Sequence, residues 1–321
     1  MKSDYIILGA TDGIGYAVTE SLLSRKIPVS ILVPEREKAL ALFQPSEFLE
    51  VLEGDVYDLT LLKQVTEGKK FIFHGLQFPY QDSADRVGRY TENIIKAAAG
   101  SRSTIVYPGN VYNFGRTPLV KENTLPDPIN LRGDLFVQIE AHFLEAVIKN
   151  SCRILIVRLP DLWGPNVQSR LIRSIFMSAL KKEAFPFPGR FDIPHQFVFS
   201  RDAAAIITRL MDLPVSEPFK VYNYGGRTFQ GARDFLFRVA VEAGSPRQIK
   251  RLKYWQLALY SWFRPEMMEL KESHYLFENS ILLDDSYVRG LFPDFCSKPL
   301  REAVVETLDW FSRHSSLIQQ S

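Results

Sequence analysis

Between Tyr5 and Gly15 the sequence reads YIILGATDGIG: four apolar residues, a glycine at 9, two more at 13 and 15, then the helical spacing of Tyr16 to Leu23. An apolar run too short to be a helix, ending in glycines that open one, confines this stretch to a strand, a tight turn and a helix N-terminus. The first N–H groups of a helix have no partner of their own and its dipole favours negative charge, so bare backbone here can receive a pyrophosphate. The glycine spacing is GxxxGxG rather than GxGxxG. The candidate cofactor turn is Gly9, Thr11, Asp12, Gly13, Ile14 and Gly15. Its bland alternative is a tight turn whose glycines serve packing alone.

The strand-and-helix unit then repeats along the chain. Short β-rich runs at Pro28 to Val33, Phe48 to Leu52, Phe71 to His74, Thr104 to Tyr107 and Arg153 to Leu159 alternate with helical patterns, among them Glu35 to Phe43, Asp85 to Ala99 and Leu131 to Lys149. Parallel neighbours need such crossovers, so the expected fold class is α/β, a doubly wound parallel sheet of the Rossmann type. After Leu159 the prolines and glycines at 160, 164, 165, 186, 188, 189 and 194 break the pattern into short segments. The expected division is a dinucleotide-binding core over residues 1–160 and, over 161–321, mostly a substrate-binding lid with elements returning to the core.

Charge narrows the partners. A net charge of +2, with no block of five like charges, predicts no nucleic-acid partner, and no apolar segment reaches the length of a membrane span. A membrane is not expected as a partner either; a small-molecule substrate is, with homodimer formation left open. The chain enters its first strand within four residues of Met1, without a basic and apolar leader, which predicts a cytoplasmic protein. Cys152 and Cys296, far apart in apolar surroundings, are expected to be buried thiols, with no disulfide and no metal site.

Further motifs lie one to an element: Gly54-Asp55-Val56-Tyr57-Asp58 (GDxxD), Phe71 to His74 (VFHxA-like), Thr91 to Ala98 (GTxNLLxAA-like), Arg158 to Pro165 (RxxxxxGP), Phe197 to Ala204 (YVxDxA-like) and Val221 to Gly226 (YNxGG-like). Together with the opening GATxGxG they resemble the extended and atypical branches of the short-chain dehydrogenase/reductase superfamily, the sugar-nucleotide epimerases and their relatives. The resemblance implies that Asp55, with Val56 beside it, approaches the adenine, and that His74 lies over the pyrophosphate and nicotinamide ribose. Pro34 stands where related enzymes carry arginine for NADP or aspartate for NAD, and Arg36 and Lys38 close behind tilt the expectation toward NADP over NAD.

The same resemblance locates an omission. Members usually move a hydride with a tyrosine and lysine spaced YxxxK and a serine in an SSxxVYG stretch. Here that stretch reads Tyr107-Pro108-Gly109-Asn110-Val111-Tyr112-Asn113, and Glu140, taken as the glutamate four positions after the lysine, puts Phe136 at the lysine and Arg132 at the tyrosine. No YxxxK occurs from Asn110 to Asn150. The replacement candidates for catalysis are Tyr112 and His195; Asn110, Asp161, Trp163, His195 and Gln196 are candidates for substrate contact, following strand ends or lying on the lid. Two functions compete. One is an NAD(P)-dependent oxidoreductase or epimerase-like enzyme with a small polar, sugar-derived substrate and a non-standard active site, toward which the balance leans. The other is a catalytically silent NAD(P)-binding sensor or interaction protein.

Overall fold

The computed structural model describes residues 3–76, 84–214, 216–244, 249–263 and 267–314. In chain order it runs β1 (Tyr5–Leu8), α1 (Gly13–Ser24), β2 (Val29–Val33), α2 (Arg36–Leu42), β3 (Leu49–Glu53), α3 (Leu59–Thr66), β4 (Phe71–His74), α4 (Ala84–Ser101), β5 (Thr104–Gly109), a 3-10 turn (Tyr112–Phe114), β6 (Leu119–Val120), α5 (Leu131–Ile148) and β7 (Arg153–Arg158). It continues with β8 (Asp161–Trp163), α6 (Arg170–Leu180), β9 (Phe185–Pro188), β10 (His195–Phe199), α7 (Ser200–Met211), β11 (Phe219–Asn223), β12 (Arg227–Phe229) and α8 (Ala232–Glu242). The last elements are β13 (Ile249–Leu252), α9 (Tyr254–Phe263), α10 (Met268–Glu278), β14 (Leu282–Leu283), α11 (Ser286–Leu291) and α12 (Leu300–Arg313).

Seven strands form one parallel sheet in the order β11-β7-β5-β4-β1-β2-β3. Strand order reverses between β1 and β4, and Leu8 lies level with Leu32 on one side and His74 on the other, so the three strands finish together. Such a reversal opens a crevice beyond the carboxyl ends. The strands are apolar throughout because both faces are covered: Ile6, Ile7 and Leu8 are fully buried. One face packs Ile7, Ile31 and Val157 with Ala17 and Val18 of α1 and Ile207 of α7; the other packs Ile6, Ile72 and Ile105 with Ile94 of α4 and Ile139 of α5.

Local chemistry sets the helix starts. Asp58 accepts from the Thr60 and Leu61 N–H groups ahead of α3, and Asn130 accepts from Gly133 N–H at the start of α5. Strand ends differ from the sequence reading by one or two residues, within what hydrogen bonding decides rather than composition. The strand at 153–158 is the seventh in the chain rather than the sixth, because β6, two residues long, pairs with the distant β14. β11, from the second half of the chain, completes the sheet edge beside β7. β8, α6, β10, α8 and α12 meet in an aromatic core, with Trp163, Phe176, Phe199, Phe235 and Phe311 in contact.

One expectation about the cysteines is corrected. Cys152 is buried, with its thiol pushed up to about 11 by that burial, but Cys296 is exposed. It lies in the loop between α11 and α12, where apolar neighbours in sequence do not fold over it.

Candidate cofactor and substrate groove

The glycine turn is built by close approach. Gly9 sits at φ +83°, and a Cβ there would lie 2.5 Å from the Gly75 carbonyl oxygen; a Cβ on Gly15 would lie 2.1 Å from that of Gly9. Gly13 opens α1 at φ +46°. The first intrahelical bond runs from Tyr16 N–H to the Asp12 carbonyl (3.2 Å), and of the N–H groups ahead of it, which have no partner within the helix, Gly13 bonds the Asn166 carbonyl (2.9 Å). The Ile14 and Gly15 N–H groups follow at N2 and N3 of α1, and Ile14 lines the second hollow described below. Asn166 also donates its side-chain amide to the Thr11 carbonyl at 2.9 Å, so a loop after β8 grips the turn from both sides. Asp12 precedes α1 without a capping hydrogen bond, and burial pushes its carboxyl up to about 6 against the opposing pull of Lys38.

Two hollows flank this turn. A cavity of about 230 Å³ is lined by Gly9, Thr11, Asp12, Pro34, Asp55 and Val56 among others, which gathers the residues expected around the adenosine. Arg36 is not among its lining residues; its guanidinium donates to the Val51 carbonyl of β3. A second cavity, about 290 Å³, is lined by Asp12, Gly13, Ile14, Asn110, Tyr112 and Asp161 together with Pro108, Arg132, Phe136, Gln168, Ser169 and Glu269. Asp12, Gly75 and Leu76 border both, so the hollows form one groove across the crevice at the strand-order reversal.

His74 is elsewhere. As the last residue of β4 it points to the α4 and α5 side, fully buried among the rings of Tyr90, Tyr107 and Phe143, and lines neither hollow. Burial lowers its pKa to about 3, so the imidazole is neutral. A position over the pyrophosphate, expected from the resemblance, is not the one the structure gives this side chain.

The substrate candidates divide in the same way. Asn110 borders the second cavity and accepts from the Tyr112 N–H at 2.8 Å. Asp161 also borders it, and His195 stands behind Asp161, Nε2 to Oδ2 at 2.7 Å, with its ring stacked on Phe277. Trp163 is 3 % exposed and packs against Phe176, Phe199 and Phe235, away from the cavity. Gln196 is used structurally: it accepts from Leu283 N–H at 2.8 Å and donates to Leu283 O at 3.1 Å, tying β10 to β14. The Tyr112 hydroxyl is held above its ordinary pKa by burial first, then by the Asp161 and Glu269 carboxylates, with Arg132 pulling the other way. Sequence reasoning missed Asn166 and Glu269. Asn166 follows the RxxxxxGP stretch directly and was within reach of that motif; Glu269 arrives from α10, and no local pattern announces it.

The profile of the NAD dependent epimerase/dehydratase family matches residues 5–225. The chain belongs to this family. No curated protein matches it. Among solved structures, the Bordetella bronchiseptica enzyme WbmH in complex with NAD+ superposes with a TM-score of 0.74 at 18% identity, covering 97% of this chain and 98% of that one. UDP-glucuronic acid 4-epimerase from Bacillus cereus in complex with NAD gives 0.76 at 15% identity, covering 96% and 98%. dTDP-glucose 4,6-dehydratase from Bacillus anthracis in complex with NAD gives 0.77 at 13%, covering 98% of each chain. At these identities the likeness speaks for the fold that the epimerase/dehydratase family shares. Among the described residues, no helix is long and apolar enough to cross a membrane and no acidic, histidine and cysteine group is arranged to hold a metal.

Proposed function

We propose that this epimerase/dehydratase chain binds NAD and acts as an oxidoreductase or epimerase on a small polar, sugar-derived substrate, using proton-handling groups other than the usual serine, tyrosine and lysine. The observation that carries the reading is the single groove: glycine turn and adenosine hollow at one end, and at the other a cavity whose walls hold Pro108, Arg132 and Phe136 beside Tyr112, Asp161 and Glu269. A bound nicotinamide would supply or take the hydride. This chain's part is to hold the dinucleotide on Ile14 and Gly15 N–H, to keep the substrate oxygen near Asp161 and Tyr112, and to move a proton there, with His195 orienting the Asp161 carboxylate. The preference for NAD replaces the sequence expectation of NADP, because Arg36 already serves the Val51 carbonyl.

The second reading, a silent dinucleotide-binding protein, draws on the same three residues. Pro108, Arg132 and Phe136 bring neither a hydroxyl nor a lysine ammonium to the cavity. Thermal shift with NAD, NADH, NADP and NADPH, followed by hydride exchange and epimer analysis with UDP- and dTDP-sugars, separates the two. Stabilisation by NAD with turnover supports the enzyme; stabilisation without turnover on any sugar supports the silent binder; no shift with any cofactor ends both. We further propose a cytoplasmic setting, which suits two free thiols, and a homodimer through α5, whose Leu144 and Ile148 are exposed. Light scattering that returns a monomer would remove the dimer.

A further inference from the structure

α9 is inside out. It buries Leu257 and Ser261, one turn apart, at 0% and 7% exposure, while Trp255, Leu259, Trp262 and Phe263 stand 61%, 48%, 84% and 77% exposed. At about 100° per residue these four fall in one sector opposite the buried stripe, while Tyr254 lies beside that stripe and Tyr260 between the two. The serine faces the protein and the tryptophans face out. The helix is not free to roll over: Leu257 is part of the aromatic core, Gln256 accepts from Lys253 N–H at 2.9 Å, Tyr254 meets the His274 ring of α10, and Arg251 pairs with Glu278 at 2.7 Å.

Charge indicates what this face meets. From Arg247 to Arg264 the sequence carries Arg247, Lys250, Arg251, Lys253 and Arg264 and no acidic residue, in a chain whose total is +2. Arg251 is engaged by Glu278, but Lys250 on β13 and Lys253, directly before α9, are exposed. Two copies meeting through this face would bring the cations together, whereas an anionic surface neutralises them. A helix with tryptophan, phenylalanine and leucine on one face and lysine and arginine at its edge is suited to lie in the interface of a lipid layer. We propose that α9 and the adjoining β13 dock the protein on an anionic lipid surface, peripherally and without crossing it. Overall charge hid this at the sequence level, because the basic stretch is offset by the rest of the chain. α10, which α9 packs against, carries Glu269 into the substrate cavity, so docking would hold that end of the groove near the surface.

The test is sedimentation of the full-length protein with vesicles of phosphatidylcholine alone and of phosphatidylcholine with phosphatidylserine. Partition onto the serine-lipid vesicles should be stronger by on the order of tenfold and should fall as salt rises. The double variant Trp262→Ser with Phe263→Ser should lose that binding while keeping its melting temperature, since both side chains are exposed. Lys250→Glu with Lys253→Glu should lose the serine-lipid preference. No binding to either vesicle, equal binding to both, or undiminished binding by the aromatic variant overturns the proposal. So does a self-association seen by light scattering that disappears in the aromatic variant while vesicles stay bare, which would make α9 a contact between copies.

Discussion

The two ends of the groove are made in opposite ways. At the adenosine end the working parts are backbone: Gly9 and Gly15 brought within contact of their neighbours, Ile14 and Gly15 N–H groups at a helix start, all from the first fifteen residues plus the ends of β2, β3 and β4. At the substrate end they are side chains gathered from far apart, Tyr112 after β5, Arg132 on α5, Asp161 on β8 and Glu269 on α10. A backbone device admits little substitution without collapse, whereas side chains can be exchanged over an intact scaffold. On the function proposed above, the first end keeps the glycine turn while the second carries Pro108, Arg132 and Phe136 in its wall.

The largest effect is expected where backbone is the device. Gly13→Val puts a β-branched residue at φ +46° at the mouth of α1 and should abolish NAD binding, read as loss of the thermal shift. Gly15→Ala must displace the Gly9 carbonyl and should both lower the melting temperature and abolish binding. Normal cofactor binding by either variant would break the contrast, since the turn would then be as tolerant as the cavity.

At the substrate end, once a turned-over sugar is found, Asp161→Asn should lower kcat about a hundred- to ten-thousand-fold, the usual worth of a positioned acid or base. His195→Gln should cost less, because His195 does not line the cavity and acts there through its bond to Asp161. Tyr112→Phe decides whether the phenol takes part. Its raised pKa keeps it protonated at neutral pH, so it can donate but not readily accept a proton. Unchanged turnover in Asp161→Asn would move the chemistry off this carboxylate altogether.

Legibility divides along the same line. The strands of the sheet, the Asp58 cap and the glycine turn could be read in advance because each depends on residues within a few positions of one another. His74 could not: motif position says that it ends β4, but which side of the sheet it faces depends on the ring cluster of Tyr90, Tyr107 and Phe143, contributed by three other elements. Trp163 and Gln196 were drawn toward the site by being near strand ends, yet Trp163 packs into the aromatic core with Phe235 and Gln196 is tied to Leu283 of β14, contacts made with elements distant in sequence. Asp161, the first residue of β8, and Asn110, directly after β5, do reach the cavity.

Asp12 borders both hollows and predicts a smaller, pH-dependent effect. Its folded pKa, about 6 against an ordinary 3.8, means that the fold favours the protonated acid, so its charge costs stability increasingly as pH rises through that interval. Asp12→Asn should remove the penalty and stabilise the protein at pH 7 by roughly 1–3 kcal/mol. A pyrophosphate beside the carboxylate disfavours its charge further. NAD affinity should therefore rise as pH falls toward 6, about tenfold at most, and Asp12→Asn should bind more tightly and flatten that dependence. Titration calorimetry across pH 5.5 to 8, roughly bracketing the shifted pKa, reads both. A wild-type affinity that does not change with pH would place Asp12 outside the pyrophosphate's field.

The smallest effect concerns Arg36, and it is informative because the sequence points the other way. A guanidinium that held a 2′-phosphate would contribute a charge-assisted hydrogen bond of roughly 1.5–3 kcal/mol, so its removal would weaken NADP and spare NAD. In the structure that donor already serves the Val51 carbonyl, and turning to a phosphate would leave the carbonyl to water at the exposed edge of β3. The exchange gains little. Arg36→Ala should change the affinities for NAD and NADP by less than about twofold each, well under the 1.4 kcal/mol that a tenfold change requires. A selective loss of NADP binding would show that Arg36 leaves Val51 when the cofactor arrives, and that the adenosine end too relies on a side chain for its specificity.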